Sequence, residues 1–381
     1  MDGFTLSANT LLRTVKDNPA DRIEVEIGDS KQLDFKPQFK VSRWDNEVNF
    51  SMRAQEEAGA TMVEEDGKVK YKGRDIEVHQ YEKPEASKDG GFEFEWVLKN
   101  KPESNVLRTT IQHKGLDFFY QPALTAEEIK QGNVRDENVV GSYAVYHSTK
   151  QNNIVGGMEY QTGKAFHIYR PHAVDADGVK VWCELDIKKG ELTVTVPKDF
   201  LNKAIYPVVV DPTFGYTSGG ASFRVTSNNS EDSSIYGNLN DSVSGSLNSV
   251  HTYVASDDVG TAYFNFAFGD GGATRAGATN IIDSTLGANV TGTSPSWKTY
   301  TASNESFIAT SRVGLTAYFE YQGTNHLRSY YDTGSNTDSF YITGDSFSYI
   351  LTTTVLNSVY ATYTAASSYN PAFAHRRLLL K

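Results

Sequence analysis

Cysteine is nearly absent from this chain: Cys183 stands alone among 381 residues. One thiol cannot build an intrachain disulfide framework or a zinc site with several thiolates. Its neighbours Val181, Trp182 and Leu185 mark it as a buried strand thiol rather than a nucleophile. Clustered basic charge is missing too. The net charge is −11, and an acidic chain without a Lys/Arg block is poorly equipped to neutralise phosphates, so nucleic acid is not an expected partner. No run approaches the roughly 18 apolar residues of a membrane-spanning helix. The N-terminus, Met1-Asp2-Gly3-Phe4, lacks the basic and apolar regions of a secretory signal, so export by that route is not expected.

Familiar catalytic wording is also missing. There is no Gly-x-Ser-x-Gly elbow, and the glycines from Gly215 to Gly220 carry no P-loop lysine. His147, His167, His172, Asp175 and Asp177 fall in one stretch. No two of these histidines have the helical i, i+4 spacing of a zincin, and the stretch reads as strands. Asp175-Ala176-Asp177-Gly178 begins like a calcium loop but offers no Asp or Asn at the next ligand position, so a hairpin turn explains it better. Glu93 and Glu95 lie two residues apart, about 6.7 Å along a strand, near a glycosidase spacing. Phe92, Phe94 and Trp96 claim the core face, which leaves the two carboxylates on the solvent side. We therefore expect no catalytic residue, no metal site and no cofactor.

What the chain does have is β signal. Aromatics make up 12% of it, with 22 Tyr and 20 Phe, residue types that suit pleated, half-buried surfaces. Residues 22–27 and 92–96 alternate with a period of two. Asp66-Gly67 and Asp177-Gly178 mark hairpins, Thr125-Ala126-Glu127-Glu128 is a capping box, and Leu192 to Val196 is a strand. Ser7 is placed to cap a weak helix carrying Leu11, Leu12 and Val15, ending near Pro19.

Charge divides the chain in two. Residues 1–210 carry 28 basic and 34 acidic side chains, against 8 and 13 in residues 211–381. The second half is dressed in Ser, Thr, Asn and Gly, with candidate strands at 261–268, 314–321, 339–342 and 358–363. The expected fold is mainly all-β: an N-terminal arm (1–20), a β-rich assembly domain (21–212), a C-terminal antiparallel β-sandwich or jelly-roll-like domain of lectin or fibre type (213–365), and a tail (366–381). Pro207, Pro212, Gly219 and Gly220 punctuate the boundary, which predicts a protease-sensitive joint between Asp211 and Gly220. In the second domain, Trp297, Tyr330 and Tyr331 lie in or near polar, loop-like segments. Aromatic faces stack on sugar rings, so these three are the candidate glycan-binding residues, set against the alternative that they fill the sandwich core.

Five segments carry a resemblance: Arg43-Trp44-Asp45-Asn46-Glu47, Gly115 to Pro122, Gly141 to His147, Gly163 to Pro171, and Tyr206 to Thr217. Together they resemble β-rich proteins of bacteriophages and uncultured bacteria. In those, a segment like Tyr-Pro-Val-x-Val-Asp-Pro-Thr-Phe-Gly-Tyr closes the N-terminal domain and a variable sandwich follows. The resemblance covers the first 217 residues and carries no established activity or catalytic residue. It implies a virion structural protein, a decoration, fibre or spike component, partnered by copies of itself and by other virion proteins, with a cell-surface glycan as a further ligand. A bacterial surface or secreted carbohydrate-binding protein and a glycan-active hydrolase are the alternatives.

Overall fold

The computed structural model describes residues 3–7, 9–150, 153–155, 157–225, 234–240, 245–271, 280–307, 312–319, 326–335, 339–343, 348–351 and 354–365. The tail, 366–381, lies outside the described residues. The fold is all-β, and every strand pairing among the described residues is antiparallel. Among the described residues the α-helices are the short Ala126–Lys130, opened by the expected Thr125/Glu128 capping box, and Lys198–Lys203. Among the described residues no helix is long and apolar enough to cross a membrane.

Two large sheets build the first half, beside a two-stranded ribbon of Asn153–Val155 and Met158–Gln161. An eight-stranded sheet runs Thr5–Ser7, Thr10–Lys16, Ile23–Ile27, Gln38–Arg43, Val48–Ala54, Val106–Lys114, Glu191–Thr195, Glu184–Lys188. The second sheet is centred on Gly91–Leu98, which pairs with Ile76–Glu82, Val208–Asp211 and Thr213–Gly215. The two share one apolar core. Phe39 stacks on Phe92 with ring centroids 4.1 Å apart, and Phe50, Phe166 and Phe214 close around them. Buried Arg43 fastens one sheet to the other. Its Nε donates to Asp21 at 2.6 Å, and one terminal nitrogen donates to the backbone oxygens of Lys164 and Ala165 at 2.8 and 2.7 Å. Cys183 is fully buried, and that burial pushes its thiol up to about 12.

Alternating sequence translates directly into burial where one face is apolar. Ile23, Val25 and Ile27 are buried while Glu24 and Glu26 between them are only partly covered. Asp66 and Gly67 both take positive φ, as the tight turn joining Thr61–Glu65 to Lys68–Lys72 requires. Asp177-Gly178 turns the hairpin between His172–Val174 and Lys180–Trp182.

The expected helix at Leu11, Leu12 and Val15 is a strand instead. Thr10–Lys16 pairs with Ile23–Ile27, and Leu11 enters the common core. Thr10, Thr14 and Val15 are β-branched and stiff in a helix, and a segment this short gains more from a waiting sheet edge than from its own hydrogen bonds.

The second half forms two further sheets. One contains Ser222–Val225, Leu327–Thr333, Gly245–Ser256 and Ser296–Phe307, joined by Val355–Asn357 and Val359–Ala365. The other runs Asn280–Thr291, Thr261–Gly271, Arg312–Phe319, Ser234–Asn240, Ser339–Thr343, Ser348–Leu351.

The strands do not respect the compositional boundary at 212. Thr213–Gly215 belongs to the sheet of the first half, paired to Gly91–Leu98 and Lys164–Ile168. Asn133–Arg135 crosses the other way and pairs with Ser222–Val225. The segment between is closely packed rather than a loose joint. A Cβ on Gly219 would fall 2.3 Å from the ring of Tyr253, and one on Gly220 would fall 2.4 Å from the backbone carbon of Tyr331. Glycine is there because other atoms occupy the space of a side chain.

Gly220→Ala is therefore expected to destabilise the protein by about 1–3 kcal/mol, read as a lower Tm in calorimetry. An unchanged Tm would contradict the close approach.

Candidate functional site: the buried seam beside Tyr330 and Tyr331

The three aromatics expected to greet a glycan lie on strands. Trp297 is on Ser296–Phe307 and Tyr330 and Tyr331 are on Leu327–Thr333. Neighbours on a strand face opposite ways, so the two tyrosines separate. Tyr330 is buried and packs on Tyr253 and Phe223, with centroids 5.3 and 5.5 Å away. Tyr331 is buried as well, with the Arg224 guanidinium 4.2 Å from its ring centre. Trp297 is half-buried beside Tyr253 and Tyr360, 5.1 Å from each, and its indole N–H donates to Ser218 Oγ at 3.1 Å. Trp297 and Tyr330 thus meet around Tyr253, while Tyr331 does not join them. Of the three, only Trp297 retains an appreciable exposed surface. The loop placement is corrected for all of them. Ser329-Tyr330-Tyr331-Asp332 contains no Gly or Pro to break a strand, and the polar neighbours that suggested a loop are strand residues.

Next to Tyr331 begins a polar seam between the halves. Asp332 has no exposed surface and lies 2.7 Å from Lys164 Nζ, which has none either. Tyr146 donates its hydroxyl to Asp332 Oδ2 at 2.8 Å, and the Ala221 N–H donates to Oδ1 at 2.9 Å. Lys164 Nζ also donates to the Gly219 oxygen at 2.9 Å. Burial pushes the Lys164 ammonium below its usual range, against the pull of Asp332. Burial also works to raise Asp332, but the Lys164 charge and the hydrogen bonds from Lys164 and the Ala221 N–H outweigh it and hold the carboxyl low. Alongside, buried Gln121 donates to the Thr333 oxygen and accepts from the Thr333 N–H, at 2.8 and 2.9 Å. Arg135 donates to Ser222 and Thr333 hydroxyls, each at 2.7 Å. Sequence reading missed Lys164, Asp332, Tyr146 and Gln121. The available signal was a lysine opening the otherwise apolar run Lys164-Ala165-Phe166-His167-Ile168, every member of which is buried.

The histidine stretch disperses. His147 contacts Glu47 at 3.3 Å, His167 contacts Ser142 Oγ at 2.7 Å, and His172 contacts Asp211 at 2.7 Å. Burial, then the Lys164 charge, pushes His167 down to about 3, which keeps it neutral. Asp175 spends its carboxylate on the backbone N–H groups of Asp177, Val179 and Ile205. That is the work of a turn-former.

The carboxylate pair departs furthest from expectation. Glu93 and Glu95 are both buried, not on a solvent face. The sheet carries the hairpin of residues 61–72 and the strand Ile76–Glu82 beside Gly91–Leu98, and their polar side chains cover this face. Burial raises Glu93 to about 7, although Lys83 and Thr213 hydrogen-bond to it and Asp211 adds repulsion. Burial works to raise Glu95 too, but hydrogen bonds from His79, Tyr81 and Lys68 outweigh it and hold it at about 2. A shallow groove of about 550 Å³ lies elsewhere, between the N-terminal strand and the outer face of the eight-stranded sheet, floored by Thr14, Glu24, Glu26 and Lys40.

Fold and site together define an all-β protein whose halves are fastened by buried polar contacts. No protein-family model and no curated protein matches the chain. Among solved structures, an exo-β-1,3-galactanase from Phanerochaete chrysosporium, crystallised with galactose, aligns over 83% of this chain and 94% of its own at 10% identity. The TM-score is 0.14, a likeness too slight to inform fold or chemistry.

The two glutamates should divide the pH dependence of stability. Glu93 is protonated in the fold up to about 7 but ionises near 4.5 when unfolded, so its contribution is full below 4.5 and is lost as pH rises to 7, by about 3 kcal/mol. Glu95 works oppositely, losing stability as pH falls from 4.5 towards about 2. Chemical denaturation across pH should show Glu93→Gln flattening the upper window and Glu95→Gln flattening the acid limb. Unchanged slopes would contradict the burial of these groups.

Proposed function

We propose that this chain is a structural component of a phage particle, a decoration, fibre or spike protein working as a homo-oligomer and in contact with other virion proteins. The observation that carries the proposal is the edge of the eight-stranded sheet at Thr5–Ser7, which has no further strand beside it among the described residues. Its last strand, Thr5–Ser7, is exposed along its length, with Leu6 67% exposed and Leu12 on the next strand 40% exposed. A strand edge with an outward leucine and no Pro or charge within it is a template for pairing with another chain. A second copy is the natural partner under closed symmetry. The seam at Asp332 supports the same reading, since it holds the halves as one body, as a passive part of a shell requires. A glycan contact on the second half falls to Trp297, the one of the three candidate aromatics that keeps open surface. The same contact suits the alternative of a bacterial surface or secreted carbohydrate-binding protein.

One observation favours a glycan-active hydrolase as a second reading. The Glu93 and Glu95 carboxyls are driven to opposite protonation states, the arrangement an acid and its partner base need. Glu93 has no exposed surface and is held by Lys83 and Thr213, so this chemistry would require those two side chains to move aside. Glycan hydrolysis that is abolished by either Glu→Gln change would establish it over the structural reading.

The structural reading is tested by native mass measurement and by proteomics of particles from the source. A closed oligomer present in particles is expected, and Leu6→Lys should weaken association by about tenfold or more. A strict monomer absent from particles would overturn the proposal in favour of the exported carbohydrate-binding protein.

A further inference from the structure

We propose that Lys164 and Asp332 become joined by an amide bond between Nζ and Cγ, formed by the folded chain itself with release of one water. The bond would weld the two halves covalently. It does not rest on the particle role proposed above and would hold for any function of the chain.

Four features of the seam favour it. First, the reacting groups are in contact: Nζ lies 2.7 Å from Oδ2 on two side chains with no exposed surface. Second, the pair is shut off from bulk solvent, both side chains having no exposed surface. In water the pair would remain an inert ammonium and carboxylate. A buried ion pair recovers little more than its desolvation cost, so moving one proton from Nζ to Oδ2 leaves a neutral amine facing a neutral acid at small cost. Burial, which pushes Lys164 below its ordinary value, acts in that direction, while the hold of Lys164 on the Asp332 carboxyl acts against it, so the neutral pair is the minor, reactive form. Third, each carboxyl oxygen has a suitable partner. Oδ1 receives the Ala221 N–H at 2.9 Å, a donor placed for an oxyanion, and Oδ2 receives the Tyr146 hydroxyl at 2.8 Å. Burial, together with Asp332, raises Tyr146 well above its usual range, so it stays a phenol and a donor. Fourth, the Gly219 oxygen, 2.9 Å from Nζ, fixes the direction of the amine and can keep the hydrogen left on the amide.

The step balances without an added reagent. The Nζ lone pair attacks Cγ, and the carbonyl electron pair moves onto Oδ1. A second proton passes from nitrogen to Oδ2, the Cγ–Oδ2 bond breaks, and Oδ2 leaves as water while the carbonyl re-forms at Oδ1. Of the three ammonium protons, two depart in the water and one remains on the amide. Two buried charges are replaced by one neutral amide, which is cheaper to hold in an apolar interior.

Denaturing mass spectrometry of the full chain decides the matter. The mature protein is expected to weigh one water less than its sequence, and a protease map should show the peptide holding Lys164 joined to the peptide holding Asp332. Lys164→Gln and Asp332→Ala should weigh their full sequence mass. Asp332→Asn is the diagnostic variant: it can form the same amide by losing ammonia, so it should reach the same final mass as the cross-linked wild type. Tyr146→Phe should slow conversion by about a hundredfold. If a variant fails to fold, the wild-type map still decides. Full sequence mass in the wild type, with Lys164 and Asp332 in separate peptides, would overturn the proposal. So would a water loss that maps to Asp66-Gly67 or Asp177-Gly178, where a cyclic imide gives the same mass.

Discussion

Burying a lysine and an aspartate against each other, with no surface left to bulk solvent, constrains everything near Asp332. Each partner must be held in place, because a lone charge in that interior would cost several kcal/mol. Tyr146 and the Ala221 N–H hold the aspartate, and the Gly219 oxygen holds the lysine. The backbone at Gly219 and Gly220 must then pass so close to Tyr253 and Tyr331 that a side chain has no room. The crossing strands, the packed glycines and the buried tyrosines are consequences of one requirement: the halves must meet around this pair.

Much of the fold was legible because period-two alternation and turn chemistry are local. Ile23-Glu24-Val25-Glu26-Ile27, the Asp66-Gly67 turn and the Thr125/Glu128 capping box each depend on a few adjacent residues. Where the sequence misled, a distant partner decided. Leu11, Leu12 and Val15 read as a weak helix until the strand Ile23–Ile27 supplies a ladder. Trp297, Tyr330 and Tyr331 read as loop residues because their neighbours are polar, but Asp332 reaches across the seam to Lys164 and Tyr146, and Arg328 donates to the Asp257 oxygen within the second half. No spacing rule could bring Asp332 to Lys164, since the contact is made only by the tertiary fold.

The two glutamates teach a related lesson. Alternation correctly placed Phe92, Phe94 and Trp96 on the face opposite Glu93 and Glu95. It could not show that the second face is covered as well, because the cover consists of Lys68, His79, Tyr81 and Lys83, residues that look solvent-facing in isolation. Polar side chains can roof polar side chains, and the same face then holds one carboxyl raised and its neighbour lowered.

The exchanged strands also set an order of events during synthesis. When residue 212 leaves the ribosome, the sheet around Gly91–Leu98 still lacks Thr213–Gly215, and Asn133–Arg135 has no partner until Ser222–Val225 appears. The first half therefore waits, with one sheet unfinished and one strand unpaired, for chain that belongs by composition to the second. A nascent protein paused at its compositional boundary would present open backbone hydrogen-bonding groups to its neighbours on the same message.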